Sequence, residues 1–231
     1  MISFISRREL LRRAGLMGVA VAVGPTALDP AEGAVAEAAA PQAANAVRAR
    51  LENLTTDEAR VLDAVVARLI PTDANGPGAT EARAAHYIDH ALGGALASSR
   101  QAYATGLAAL DQYARSTRGK AFAELTATDQ DATLVEVEAG MASGFAGSAA
   151  FFALVRGHTL QGTFCDPFYG GNANFVGWDL IGYPGVRTIV GPEDQRLGAD
   201  VSRNHKSAYD YEMFVKATAR AESHQEMKHG D

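Results

Sequence analysis

Residues 55–71 read TTDEARVLDAVVARLIP. Thr55 stands where a helix N-cap is wanted, and Glu58 follows three residues later, which is a capping box. Behind the cap, Val61, Leu62, Val65, Val66, Leu69 and Ile70 recur at helical spacing on one face. Pro71 lacks an N–H and ends the run. One cap, one apolar face and one stop therefore predict an amphipathic helix, and the same grammar recurs downstream.

Asn75-Gly76-Pro77-Gly78 is a turn-rich loop. A second helix is expected over Glu81–Leu92, with Ala84, Ile88, Ala91 and Leu92 inward and Gly93-Gly94 at its end. A third runs from about Ser99 to Arg115, with Tyr103, Leu107, Leu110 and Ala114 in one stripe. Gly119 separates it from a short segment around Phe122. Thr128-Asp129-Gln130-Asp131 reads as another start, leading through Leu134, Val135 and Glu138 to Met141. A fifth helix spans Ala149–Gln161, and its wide apolar surface (Phe151, Phe152, Leu154, Val155) makes it central. No strand alternation persists and no internal repeat is present. The expected class is all-α: one domain over 51–231, of five to six helices.

Residues 162–192 have a different texture: GTFCDPFYGGNANFVGWDLIGYPGVRTIVGP. They hold many of the glycines, three prolines and the single tryptophan. Irregular segments of this length are usually functional or disordered, and the aromatic content argues against disorder. Within them, Asp166 is suited to accept backbone N–H bonds, Pro167 fixes its own φ, and Gly170, Gly171 and Asn172 tolerate positive φ. Two readings stand together: a loop folded back on the helical core, and a rigid aromatic surface for a partner with Trp178 and Tyr183 as anchors. The docking candidates are Phe164, Cys165, Asp166, Pro167, Tyr169, Gly170, Gly171, Asn172, Trp178 and Tyr183. In the tail, Tyr209, Met213 and Phe214 fit one more helix within 205–228.

The N-terminus is of another kind. Ser6-Arg7-Arg8-Glu9-Leu10-Leu11-Arg12 is a charged region with an arginine pair. Residues 14–28 are mildly apolar and interrupted by Gly15, Gly18 and Gly24. Ala34-Val35-Ala36 then offers small residues to a signal peptidase, with a second candidate cut after Ala38-Ala39-Ala40. Positive, apolar and small in that order is a secretory signal. The apolar part falls short of the ~20 residues that span hydrocarbon. The arginine pair, Arg7 and Arg8, marks the twin-arginine route for folded cargo. Residues 1–36 are therefore read as a twin-arginine signal peptide and 37–50 as an alanine-rich linker, with a periplasmic destination.

Net charge is −6. Residues 1–36 carry four arginines against Glu9, Asp29 and Glu32, so the remainder is more acidic than the whole. Such a chain has no electrostatic footprint for nucleic acid and no charge attraction to anionic lipid. Cys165 is the single cysteine, which excludes an internal disulfide, a c-type haem and a four-thiolate cluster. It is either a small buried residue or a bond to another chain. There is no dinucleotide fingerprint, phosphate loop or nucleophile elbow. His86-x-x-x-His90 places two imidazoles on one helical face, but Tyr87 stands where a zinc protease needs glutamate. A stand-alone periplasmic metal- or ligand-binding protein using these histidines is the alternative function.

One resemblance gathers these motifs. Ile70-Pro71-Thr72-Asp73, Pro77-Gly78-Ala79, Tyr87-Ile88-Asp89, Tyr103-x-x-Gly106-Leu107 and Leu110-Asp111 come in order. They lead to Phe151-Phe152, Gly162-Thr163-Phe164, Asp166-Pro167-x-Tyr169-Gly170-Gly171-Asn172 and Gly177-Trp178-x-x-Ile181-Gly182-Tyr183-Pro184-Gly185. From about residue 55 to 187 the chain resembles the gluconate 2-dehydrogenase subunit 3 family. The resemblance implies the small subunit of a membrane-associated, three-part dehydrogenase. A large subunit of the glucose–methanol–choline type carries FAD and oxidises a sugar or sugar acid. A multihaem cytochrome c passes electrons onward. The small subunit brings the export signal, holds no cofactor and transfers no known catalytic residue. Its membrane association is through the complex alone.

If one signal serves two chains, replacing Arg7 and Arg8 with lysine strands both this chain and the flavoprotein in the cytoplasm. Immunoblots of periplasmic and cytoplasmic fractions read the outcome. A flavoprotein that still reaches the periplasm has its own way out.

Overall fold

A computed structural model describes residues 51–215, and among them the fold is all-α. Six α-helices are joined by short connections and single 3₁₀ turns: α1 (Thr56–Leu69), α2 (Ala84–Ala91), α3 (Arg100–Arg118), α4 (Ala127–Glu138), α5 (Ser148–Phe164) and α6 (Val176–Ile181). The readings of 1–36 as a signal, with Arg7 and Arg8, and of 37–50 as a linker lie outside the described residues. No described helix is long and apolar enough to cross a membrane.

α1 forms as its sequence dictates. The Glu58 N–H donates to Thr55 Oγ1 at 3.2 Å and the Thr55 N–H to Glu58 Oε2 at 2.8 Å. Arg100 then grips the same carboxylate through both terminal nitrogens, at 3.1 and 2.8 Å, so the cap also ties α1 to α3. Val61, Leu62, Val65 and Val66 are buried, as is Ile70 just past the helix. At the far end Arg68 makes a bidentate pair with Asp131 of α4, 2.7 Å on each arm.

Several helix boundaries differ from the sequence expectation: α3 runs on to Arg118 rather than Arg115, α4 ends at Glu138 rather than Met141, and three further shifts have a visible physical reason. α2 begins at Ala84, three residues after Glu81. Arg83 is left-handed (φ 59°), and residues 79–83 are coiled as turns whose Ala82 carbonyl accepts the N–H of Ala173. α4 is capped by Thr126 rather than Thr128: Thr126 Oγ1 accepts the Asp129 N–H at 3.2 Å and donates to its carboxylate at 2.7 Å. α5 runs on to Phe164, three residues past Gln161, because Gly162 lets it pass close to Ala84 and Tyr87. The tail expectation is met by a 3₁₀ turn, Ala208–Asp210, capped by Ser207, and by helical residues 212–215, which include Met213 and Phe214; the continuation past 215 lies outside the described residues.

α5 is central as its apolar surface implies, packing against α1, α2, α3, α4 and α6. Phe151 and Val155 are buried, while Phe152 and Leu154 are partly so. Gly106 of α3 faces the Phe151 ring so closely that any Cβ would collide with it. Polar side chains are buried with this core as well, Asp89 and His158 among them. Asp89 of α2, 3 % exposed, accepts three backbone N–H groups, from Glu52 (2.8 Å), Asn53 (2.9 Å) and Leu54 (2.7 Å). His158 of α5 stacks on Tyr103 of α3, and the Tyr103 hydroxyl lies 3.0 Å from His158 Nδ1.

Burial holds the His158 imidazole below its ordinary 6.5, because desolvation disfavours the cation. A folded-state value below the unfolded one means that the unfolded chain binds more protons. This contribution to stability is complete above about pH 6.5 and is lost as pH falls below it. Urea denaturation from pH 7.5 to 5 is expected to show a falling midpoint. His158→Gln flattens that slope, and an unchanged slope would show that the histidine titrates alike in both states.

A candidate docking loop

Residues 165–185 leave the end of α5, turn through two 3₁₀ segments and return as α6. Asn172 is the residue they are built around. It is fully buried and left-handed (φ 43°). Its N–H donates to the Gly162 carbonyl at 2.8 Å, and its Nδ2 to the Cys165 carbonyl at 2.8 Å. Its Oδ1 accepts the N–H groups of Gly177 (2.7 Å) and Trp178 (3.3 Å). One residue thus satisfies the Gly162 and Cys165 carbonyls at the end of α5, through its backbone N–H and its amide, and two of the N-terminal N–H groups of α6.

Two glycines make that approach feasible. A Cβ on Gly171 would strike the Gly162 carbonyl, and one on Gly177 would strike the Thr163 carbonyl. Here glycine is required for room, not for its dihedral freedom. Asn174 and Phe175 also sit at positive φ (54° and 61°), an uncommon conformation for a ring-bearing residue. His86 of α2 lies 3.2 Å from the Gly170 carbonyl through Nδ1 and pins the turn from outside.

The predicted residues divide by what they touch. Trp178 is 6 % exposed, and its indole N–H donates to the Phe164 carbonyl at 3.0 Å. It is therefore corrected from a surface anchor to a buried strut; substituting it probes folding. Tyr183 packs edge-on against it, centroids 4.8 Å apart, and stays exposed. Phe164, Pro167 and Gly170 are half-buried. Asn172 and Gly171 are buried and act from beneath. Cys165 is half-buried, its thiol pushed up to about 11 by desolvation, so at neutral pH it is protonated and a poor nucleophile.

Asp166 does more than cap its own turn. Its Oδ1 accepts the Phe168 N–H at 3.0 Å and the Ser207 hydroxyl at 2.6 Å, and its Oδ2 accepts the Ala208 N–H at 2.8 Å. The outward surface consists of Phe168, Tyr169, Ile181 and Tyr183, all exposed. Phe168 and Ile181 are missing from the sequence candidates. Nothing in the local sequence separates either from its buried neighbours, since exposure is set by how the loop folds back on α5.

His86 and His90 have separate occupations. His86 meets Gly170, and His90 Nδ1 meets Glu52 at 2.9 Å. Among the described residues no three histidine, cysteine, aspartate or glutamate side chains gather in metal-binding fashion.

A small all-helical domain whose backbone is closed around a glycine-rich, aromatic-faced loop is the class of protein this geometry defines. The profile described as gluconate 2-dehydrogenase subunit 3 matches residues 56–185, more than half of the chain and the whole of this loop, and the chain belongs to that family. The family is that of one subunit of a multi-subunit gluconate dehydrogenase, so enzyme subunits are its implied partners. Among curated proteins and solved structures nothing matches.

Asn172→Ala leaves three backbone groups, of Cys165, Gly177 and Trp178, unpaired and forces alanine into a left-handed conformation. A loss of about 3 kcal/mol is expected, read as a lower urea midpoint with weakened near-ultraviolet dichroism from Trp178. Stability within a few tenths of wild type would refute the central role of this amide.

Proposed function

We propose that this chain is the non-catalytic small subunit of a periplasmic, FAD-dependent sugar or sugar-acid dehydrogenase of the gluconate 2-dehydrogenase type. In this reading it carries the twin-arginine signal for the complex and supports folding, export and stability of a large flavoprotein subunit of the glucose–methanol–choline type. A multihaem cytochrome c is the third component and the electron acceptor. FAD and haem belong to those partners.

The observation that supports this most is the combination of family membership with a loop rigid in backbone and apolar in face. Its buried half is consumed in holding its shape: Asn172, Gly171, Gly177 and Trp178 have no atoms to spare. Its exposed half, Phe168, Tyr169, Ile181 and Tyr183, has no task within the fold that requires exposure. A surface already ordered before contact loses little entropy on docking, and aromatic side chains supply much of the binding energy at interfaces. The export signal then has a purpose that a small helical domain alone does not give it. A flavoprotein is loaded with FAD in the cytoplasm and must cross folded.

The chain purified under native conditions with an affinity tag is expected to bring down a flavin-containing large subunit. Tyr183→Ala should weaken that association by about tenfold or more while leaving the thermal midpoint within a few degrees. Recovery of the chain as a monomer with no flavoprotein would overturn the proposal. Unchanged association of Tyr183→Ala would move the docking surface elsewhere on the molecule.

A further inference from the structure

The family match stops at Gly185, yet the described chain continues to 215 and turns back onto the loop. Its residues 207–209 take up the groups that the loop presents. Ser207 and Ala208 occupy both carboxylate oxygens of Asp166. Tyr209 lies flat on Phe168, ring centroids 3.7 Å apart and 18° from parallel, and its hydroxyl meets that of Tyr169 at 2.7 Å. A segment beyond the matched residues thus covers one face of the loop.

That segment is attached in an unusual way. Of residues 186–215, Ser207 alone is buried, and Ile189, Leu197 and Met213 are largely exposed. Polar contacts at its margins hold it instead. Asp179 pairs with His205 (2.8 Å) and Arg203 (3.2 Å), His205 stacks on Phe175, and Asn204 bonds to the carbonyls of Pro184 and Val186. Exposed ion pairs contribute little, and segments with few buried apolar contacts open at low free-energy cost.

We infer that residues 186–215 are a strap that covers the Asp166–Tyr169 end of the docking loop in the free chain and is displaced from it when the large subunit binds. This rests on the reading of the loop as the partner's surface. Binding is then reduced by the fraction of molecules with the strap closed. The strap occupies one side of the Phe168 ring and the Tyr169 hydroxyl until the partner is present, and leaves Ile181 and Tyr183 open as a first point of contact.

The test uses the full chain with Ser207→Ala and Tyr209→Ala together, both outside the loop, and with His205→Ala as a second, independent loosening. Amide exchange over 186–211 is expected to quicken in each, with exchange in α1–α5 unchanged. Affinity for the purified large subunit should rise about tenfold, mainly through faster association. Unchanged exchange overturns the clasp. Quicker exchange with equal or weaker binding overturns the strap as a shield and makes it part of the interface. Loss of binding in Tyr183→Ala beside unaltered binding in the strap variants leaves the proposed function standing and removes this inference alone. Binding by no form of the chain removes both.

Discussion

A single primary amide organises the part of this molecule that matters for recognition. Asn172 closes the end of α5 and opens the start of α6 with one side chain, donating to Cys165 and accepting from Gly177 and Trp178. A buried polar group is expensive unless all its bonds are made, and here they are made to backbone. The loop's shape is consequently independent of its exposed side chains. Phe168 and Tyr169 are left free to meet Tyr209, and Tyr183 packs on Trp178 from outside.

α2 serves as the common seat. Within two turns it offers Ala82, just before the helix, to Ala173, His86 to Gly170, and Asp89 with His90 to residues 52–54. Its two histidines look like the start of a metal site in the sequence, yet each fastens a different segment. α5 passes beneath at glycine distance, which places the end of the central helix, the loop and the incoming chain side by side.

Legibility followed the range of the interaction. The cap of α1, its apolar face and its stop at Pro71 are set by neighbours within four residues, and they could be read directly. The all-α class and the central place of α5 follow from the same local periodicity. The late start of α2 could not be read, because residues 79–83 coil as turns whose Ala82 carbonyl takes the N–H of Ala173, ninety-one positions away. Thr126 and Thr128 are both plausible caps; the choice rests on Asp129 completing a reciprocal pair with the former. Of the loop, its identity was plain in the glycines and the aspartate–proline step, but the partition of its aromatics was not. Nothing local distinguishes a tryptophan whose indole reaches Phe164 from one that faces solvent. The Phe168–Tyr209 stack joins residues forty-one apart with no shared motif.

Asp89 has a mechanical meaning as well as an energetic one. Three amides at residues 52–54 converge on its carboxylate, Glu52 is tied to His90, and Asn53 is tied to Arg100. Any tension applied to the chain upstream of Leu51 loads this bolt before it reaches the cap of α1. The load is met by this group of hydrogen bonds ahead of the hydrophobic core, which begins at Leu54.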